Sequence, residues 1–222
     1  MALLTSHQKR FLTGTILATG FWLIFFYCSL IVFSITLAMI LCTILIKEWT
    51  VLFNHNSYRF WVLMPFYPIL PFALLIYMNH MPAYHMLLYY LFLTVFAFDT
   101  SAYITGSIIG YNKIIPRISP HKTIEGCIGG FIGALITFYS ALWEQNVLLP
   151  TSVILGLTAI ICFIAFWGDI FESILKRQAH LKHSGTILPG HGGFLDRFDA
   201  VMMVTFFFFL YREELAKLLI PR

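Results

Sequence analysis

Residues 173–199 have the sequence SILKRQAHLKHSGTILPGHGGFLDRFD, a polar segment between two apolar runs, 151–168 and 199–211. Only 11% of the 222 residues are charged, whereas 59% are apolar. Because a charged side chain at the centre of a bilayer costs roughly 2.5–3.5 kcal/mol on insertion scales, charges clustered beside apolar runs indicate a functional site. The chemistry of this chain is therefore expected in and around residues 173–199.

The composition indicates the fold class. The mean hydropathy is +0.83 and the chain contains 23 Phe, which is typical of an integral membrane protein because a spanning helix needs about 20 mainly apolar residues. We predict an all-α, polytopic membrane protein with about seven transmembrane helices, in a range of roughly six to nine. The predicted segments are about 11–27, 28–46, 60–78, 83–98, 126–143, 151–168 and 199–211.

The basic residues predict the orientation of these helices. If the segments alternate, the cationic loops fall on one side of the membrane, which the positive-inside rule makes cytoplasmic. These loops contain Lys9, Arg10, Lys47, Arg59, Lys113, Arg117, Lys122, Lys176, Arg177 and Lys182. We expect the plasma (inner) membrane of a bacterium and no nucleic-acid partner. Seven spans would leave the basic tail outside, so either the count is wrong by one or the tail is an interfacial helix.

The chain divides by expected role into two regions. Residues 1–98 form hydrophobic spans that act as a scaffold and an oligomer interface, and residues 99–222 form the catalytic membrane region, within one structural unit. We also expect a homodimer. Gly126, Gly129, Gly130 and Gly133 have the small-xxx-small spacing that favours close helix packing in lipid.

Four polar residues are expected to extend the apolar run 151–168 as one helix. Asp169, Ser173 and Lys176 have i, i+4, i+7 spacing and so share a helix face, while Glu172 lies one turn before Lys176. An ordinary solvated helix end with one ion pair would account for Glu172 and Lys176. It would not account for Asp169, which follows an uncharged apolar run.

The glycine-rich loop that follows suits an anion. Gly192 and Gly193 allow backbone N–H groups to approach a phosphate closely, and His191 precedes them. Asp196 and Asp199 lie three residues apart at the start of the last helix. Together with Asp169, such carboxylates can hold Mg²⁺, which binds through a few carboxylates and substrate phosphates.

A second polar group precedes the fifth span. Asp99 lies near the end of the fourth span, and Lys122 and Glu125 stand just before the fifth. The alternative is an ordinary capped helix start, with Ser119 or Thr123 as the cap.

The polar segment resembles the signature of the membrane phosphatidate cytidylyltransferases, or CDP-diacylglycerol synthases: S-x-x-K-R-x4-K-D-x-G-x2-L-P-x-H-G-G-x-x-D-R-x-D. The matching residues are Ser173, Lys176, Arg177, Lys182, Gly185, Leu188, Pro189, His191, Gly192, Gly193, Asp196, Arg197 and Asp199. The segments GDIFES (168–173), DTSAY (99–103) and SPHKTIEG (119–126) also look like those of the family. The resemblance covers residues 99–199.

The resemblance implies an activity and a set of site residues. The activity joins CTP to phosphatidate, with release of pyrophosphate. Asp169 and Asp196 would bind Mg²⁺, or Mn²⁺ in its place, and a second cation would be compatible with this chemistry. Ser173 and Lys176 would contact the phosphates. Substrate-binding roles fall to Lys122, Arg177, Lys182, His191, Gly192, Gly193 and Arg197, and supporting roles to Asp99, Glu125, Glu172 and Asp199.

One position departs from the family pattern, because His183 stands where the family has aspartate. An orienting role for that acid would tolerate histidine, whereas contact with substrate would not. Two further hypotheses stay open. One is a related CTP-using membrane enzyme, such as an isoprenoid alcohol kinase or an archaeal-lipid cytidylyltransferase; the other is a transporter, which would place its acids near the midplane.

Overall fold

The computed structural model describes residues 6–188 and 192–220, with only the backbone described for residues 6–13. Ten α-helices account for most of this part of the chain: α1 (Ser6–Tyr27), α2 (Leu30–Thr43), α3 (Thr50–Leu52), α4 (Tyr58–Met64), α5 (Leu70–His80), α6 (Pro82–Ile109), α7 (Ile124–Glu144), α8 (Thr151–Gln178), α9 (Leu195–Leu210) and α10 (Arg212–Leu219). Two short strands, β1 (Lys113–Ile115) and β2 (Ser119–Thr123), form an antiparallel hairpin between α6 and α7.

Five helical segments of the described chain are long and apolar enough to cross a membrane: Leu30–Leu52, Tyr58–His80, Pro82–Ile109, Ile124–Glu144 and Thr151–Gln178. Gly14–Tyr27, the part of α1 whose side chains are described, is a shorter apolar segment, and α9 has 16 residues. The all-α, polytopic membrane fold is therefore confirmed, and the seven predicted apolar segments all lie largely in helices. The tail forms a separate helix, α10. Its interfacial position and the side of the membrane on which it lies stay predictions.

The chain forms two compact units. The first contains Met1–His80 and Leu175–Phe198, and the second contains Met81–Ile174 and Asp199–Arg222. Both units therefore draw on α8 and α9, and each joins segments that are distant in sequence. The functional division into 1–98 and 99–222 stays a prediction.

The first unit packs an aromatic core around interrupted helices. A π-helical turn at Ile44–Trp49 connects α2 to α3, and another at Pro65–Ile69 connects α4 to α5. Pro68 lies inside the second turn, where its missing N–H interrupts the α-helical hydrogen bonds. Trp49 is fully buried, and its indole N–H donates to the carbonyl oxygen of Phe60 at 3.2 Å.

The second unit is built on close packing of α6 and α7. A Cβ atom on Gly129 would lie 2.1 Å from the Thr105 hydroxyl oxygen, and one on Gly133 would lie 2.0 Å from that of Ser101. Only glycine allows the two helices to approach this closely, which confirms the packing role predicted for these glycines. In the same unit, a Cβ on Gly168 would lie 3.0 Å from the carbonyl oxygen of Asp199, so α8 and α9 are also in close contact.

Candidate active site

The predicted continuation of the sixth apolar run is confirmed, because α8 extends without a break through Asp169, Glu172, Ser173 and Lys176 to Gln178. This helix supplies polar side chains to both compact units. The second unit contains Asp169 and Ser173, and the first contains Lys176. The polar groups are therefore described as two clusters, one in each unit.

The Lys122 cluster, in the second unit, consists of Lys122, Asp169 and Ser173. The Lys122 ammonium lies 2.8 Å from Asp169 Oδ2, donates to the Phe166 carbonyl oxygen at 3.4 Å, and lies 4.5 Å from the centre of the Phe166 ring. Ser173 donates its hydroxyl to Asp169 Oδ1 at 3.3 Å. The Asp169 side chain is 33% exposed, so a ligand can reach it.

The hairpin and the start of α7 determine where Lys122 lies. Thr123 ends β2 opposite Lys113 and caps α7, since its hydroxyl accepts the Gly126 N–H at 3.1 Å. Thr123, one of the two caps predicted, is the one observed. Glu125 accepts from the Asn112 side-chain amide at 2.7 Å and from the Tyr111 N–H at 3.1 Å. Glu125 therefore anchors the turn before β1, and its supporting role in the site stays a prediction.

The Asp196 cluster, in the first unit, is built around one buried carboxylate. Asp196 Oδ1 lies 2.5 Å from the Lys176 ammonium, and their side chains are 4% and 10% exposed. Asp196 Oδ2 accepts from the N–H of Gly193 at 3.0 Å and from the N–H of Ser184 at 3.1 Å. Lys176, Gly193 and Asp196 thus lie together as predicted, but the Gly193 N–H already donates to Asp196.

The surroundings of Asp196 favour its ionised form. Burial raises the pKa of Asp196, but the Lys176 ammonium and the donors on Gly193 and Ser184 outweigh burial, so the pKa lies below its usual value of 3.8. His183 lies beside it, with Nδ1 3.8 Å from Asp196 Oδ2 and half of its side chain exposed. Burial and the charges of nearby basic residues lower the pKa of His183, although Asp196 acts in the opposite direction.

The glycine loop requires glycine at Gly192. This residue has φ +81°, and a Cβ there would lie 2.3 Å from Asp196 Oδ2. Its carbonyl oxygen accepts the Leu188 N–H at 2.9 Å, which closes the loop. His191, for which we predict substrate binding, lies outside the described residues together with Pro189 and Gly190.

Glu48 belongs to the Asp196 cluster, and the sequence analysis missed it. Its side chain is fully buried, and its carboxylate accepts the N–H groups of Phe194 and Leu195, each at 2.7 Å. Ser184 donates its hydroxyl to the same carboxylate at 3.3 Å. The available signal was an acid inside the most apolar of the five candidate spans, Leu30–Leu52, because an intramembrane carboxylate is expected to have a function.

The remaining predicted residues differ in burial. Arg177 donates to the Leu181 carbonyl oxygen at 2.7 Å, so it stabilises the chain after α8. Lys182 and Arg197 are exposed, and Asp99 is half-buried in α6. Glu172 is fully buried and Asp199 is 5% exposed. Their substrate-binding and supporting roles stay predictions.

The two aspartates fit a cation to different degrees. Within residues 6–188 and 192–220, no three His, Cys, Asp or Glu side chains are grouped to hold a metal ion. Asp169 fits a hard cation that takes further ligands from phosphates and water, because a third of its side chain is exposed. Asp196 fits only if Lys176 leaves its carboxylate, since both oxygens already accept hydrogen bonds.

Comparison with known proteins gives one matching family and several relatives that share one name. The family described as "Cytidylyltransferase family" matches residues 2–215. A phosphatidate cytidylyltransferase of Staphylococcus aureus is 46% identical over 115 residues, which are 52% of this chain and 44% of that protein. A phosphatidate cytidylyltransferase of Staphylococcus haemolyticus is 48% identical over 52% of this chain and 44% of that protein. One of Thermotoga maritima is 44% identical over 50% of this chain and 43% of that protein. The matched segments span less than half the length of these relatives.

Proposed function

Because the chain belongs to the cytidylyltransferase family, we propose that it transfers the cytidylyl group of CTP to phosphatidate, giving CDP-diacylglycerol and pyrophosphate. The observation that carries the proposal is the family match over residues 2–215, together with the shared name of the relatives, phosphatidate cytidylyltransferase. An integral membrane protein is also the setting in which a lipid phosphate and a nucleotide can meet.

The reaction asks the protein mainly for positioning and charge neutralisation. An oxygen of the phosphatidate phosphate forms a bond to the α-phosphorus of CTP, and the bond from that phosphorus to the bridging β-phosphate oxygen breaks. Pyrophosphate leaves with the electron pair of the broken bond. The attacking oxygen is already anionic, so no side chain has to become a nucleophile.

The two lysines are suited to bind the reacting phosphates. The ammonium groups of Lys122 and Lys176 are paired with aspartates, and each can exchange its aspartate for a phosphate oxygen. Ser173 can donate its hydroxyl once it leaves Asp169. Further contacts to CTP and phosphatidate are proposed for Arg177, Lys182, His191, Gly192, Gly193 and Arg197.

We assign Mg²⁺, or Mn²⁺ in its place, to Asp169 and Asp196. When bound, the cation would neutralise charge on the phosphates and on the leaving pyrophosphate. Excess chelator should then abolish turnover, and Mg²⁺ should restore it. Full activity in chelator would remove the cation from the proposal. A second cation is also proposed. It is tested by measuring how steeply the turnover rate rises with the concentration of free Mg²⁺, since two required cations give a steeper rise than one.

The site is proposed to face the cytoplasm from the plasma membrane, since CTP is a cytoplasmic nucleotide and the basic loops predict that side. Ser184, in the middle of the loop, is unsuitable for labelling because it is fully buried. Thr186→Cys, at an exposed position in a chain without its native cysteines, should react with an impermeant reagent only from the cytoplasmic side. Reaction from the outside would contradict the proposed orientation.

The proposed homodimer is checked by the mass of the purified protein in detergent.

Purified protein with CTP, Mg²⁺ and a panel of acceptors tests the activity. Pyrophosphate should appear with phosphatidate and not with an isoprenoid alcohol or an unsaturated archaeal ether-lipid phosphate. Turnover of CTP with one of the other acceptors alone would instead favour the related lipid enzymes. Lys113→Gln, on the exposed end of β1, is a control for Lys122→Gln, which should lose most of the activity.

A further inference from the structure

We propose that Glu48 is a positioning residue for the reaction, although it lies far from the motif in sequence. Its buried carboxylate holds the first residues of α9 and the loop before them, and so fixes the Asp196 carboxylate and the Lys176 ammonium. This inference deepens the proposed function and rests on it for its catalytic part.

The first step of the argument concerns the start of α9. The first N–H groups of a helix have no partner within the helix, and a carboxylate is stabilised near them. Glu48 Oε1 accepts the N–H of Phe194, and Oε2 accepts the N–H of Leu195. Because Asp196 directly follows Leu195, fixing this backbone also fixes the point from which the Asp196 side chain extends.

Ser184 connects the two carboxylates. Its hydroxyl donates to Glu48 Oε2 at 3.3 Å, and its N–H donates to Asp196 Oδ2 at 3.1 Å. Glu48 and Asp196 therefore hold the same residue through different atoms. A shift of Glu48 would change the donors around Asp196 without any direct contact between the two side chains.

Two motif glycines make room for Glu48. A Cβ on Gly193 would lie 2.5 Å from Glu48 Cδ, and one on Gly185 would lie 3.1 Å from Glu48 Cγ. The first distance is too short for any side chain, so the backbone can approach Glu48 only as glycine. Beside the phosphate role predicted for Gly193, these contacts give both Gly185 and Gly193 a packing role against Glu48.

The test replaces Glu48 and measures two properties of the protein. Glu48→Gln keeps the shape but places an amide NH₂ opposite one of the two backbone donors. We expect kcat to fall roughly ten- to hundredfold, with the KM for CTP changed by less than about threefold. Hydrogen exchange of the Phe194 and Leu195 amides, measured without substrate, should speed up while exchange in α7 stays unchanged. Lys47→Gln, at the exposed neighbouring position, should alter neither property.

The outcomes separate the inference from the proposed function. Faster exchange with unchanged kcat would overturn the positioning role, as would unchanged exchange in Glu48→Gln. If Glu48→Gln does not fold, Ser184→Ala serves as the test, because it removes the hydroxyl that donates to Glu48. A kcat lowered roughly two- to fivefold would support the inference. An unchanged kcat would overturn it. If the wild-type protein does not use CTP and phosphatidate, the proposed function fails, while the exchange result still decides whether Glu48 holds the loop.

Discussion

The two units each contain a lysine–aspartate pair, and the pairs differ in how firmly they are held. In the Asp196 cluster, the side chains of Asp196 and Lys176 are 4% and 10% exposed. In the Lys122 cluster, those of Asp169 and Lys122 are 33% and 16% exposed. Asp196 is also held by two backbone N–H groups, whereas the second donor to Asp169 is the single hydroxyl of Ser173.

This difference indicates different tasks. Breaking a buried ion pair costs about 3–5 kcal/mol because it leaves an uncompensated charge, whereas an exposed pair contributes about 0–1 kcal/mol. The Asp196 pair should therefore support both stability and chemistry. The Asp169 pair is open to exchange its lysine for a ligand, and should matter mainly for chemistry.

The largest expected effect is that of Asp196→Asn. The neutral amide removes the charge of Asp196 from beside the buried Lys176 ammonium, so we expect turnover to fall by at least about a hundredfold and the free energy of unfolding to fall by roughly 3 kcal/mol. Pyrophosphate release and thermal unfolding in detergent measure the two effects. Wild-type turnover in a folded Asp196→Asn protein would contradict the role of this pair.

Asp169→Asn should separate the two properties. Because this carboxylate is one-third exposed, its loss should change the free energy of unfolding by less than about 1 kcal/mol, while turnover should still fall by about a hundredfold. The same two assays apply. A loss of stability equal to that of Asp196→Asn would show that the two pairs do not differ as described.

Gly192→Ala tests the loop that holds Asp196. The new Cβ would meet Asp196 Oδ2, and a positive φ costs a non-glycine residue about 1–2 kcal/mol, so we expect turnover to fall roughly tenfold. The matched control is Gly156→Ala, in α8, where no atom lies within 4 Å of the new Cβ. Equal activities of the two variants would indicate that the loop does not position Asp196.

The pH dependence of stability tests the buried pair by itself. The pKa of Asp196 is lowered in the folded protein, so the unfolded chain binds more protons between that pKa and the usual value of 3.8. The contribution of Asp196 to stability is therefore complete above about pH 3.8 and is lost as the pH falls through the lowered pKa. In chelator, the difference in unfolding free energy between wild type and Asp196→Asn should be constant near neutral pH and shrink below this value. A difference that shrinks near pH 6 would contradict the assignment.

The smallest effect is expected for His183→Asp, which restores the residue found in the family pattern. His183 is half exposed and its pKa is lowered, so it is mostly neutral at pH 7. An added carboxylate would be repelled by Asp196, but the charges of Lys176, Lys182 and Arg197 offset this repulsion. We expect turnover and both KM values to change by less than about threefold between pH 6 and 8. A large rise in KM that depends on pH would assign the position to substrate contact instead.

The sequence predicted the elements better than it predicted their contacts. Apolar runs of spanning length identify helices because a bilayer demands that length, and Thr123 was recognisable as a cap because its hydroxyl precedes an apolar run. Glu48 was missed because its partners lie 136 or more residues away, and no local spacing encodes such a contact. The β1–β2 hairpin was missed because its strands have only three and five residues.

The most direct test follows the label of [α-³²P]CTP in wild type, Asp196→Asn and Asp169→Asn side by side, with phosphatidate vesicles and Mg²⁺. A cytidylyl transfer that depends on both pairs should move the label into the lipid phase in wild type and leave it in the aqueous phase in both variants. Label in the lipid phase at the wild-type rate in both folded variants, or no label in the lipid phase with wild type, would contradict this account.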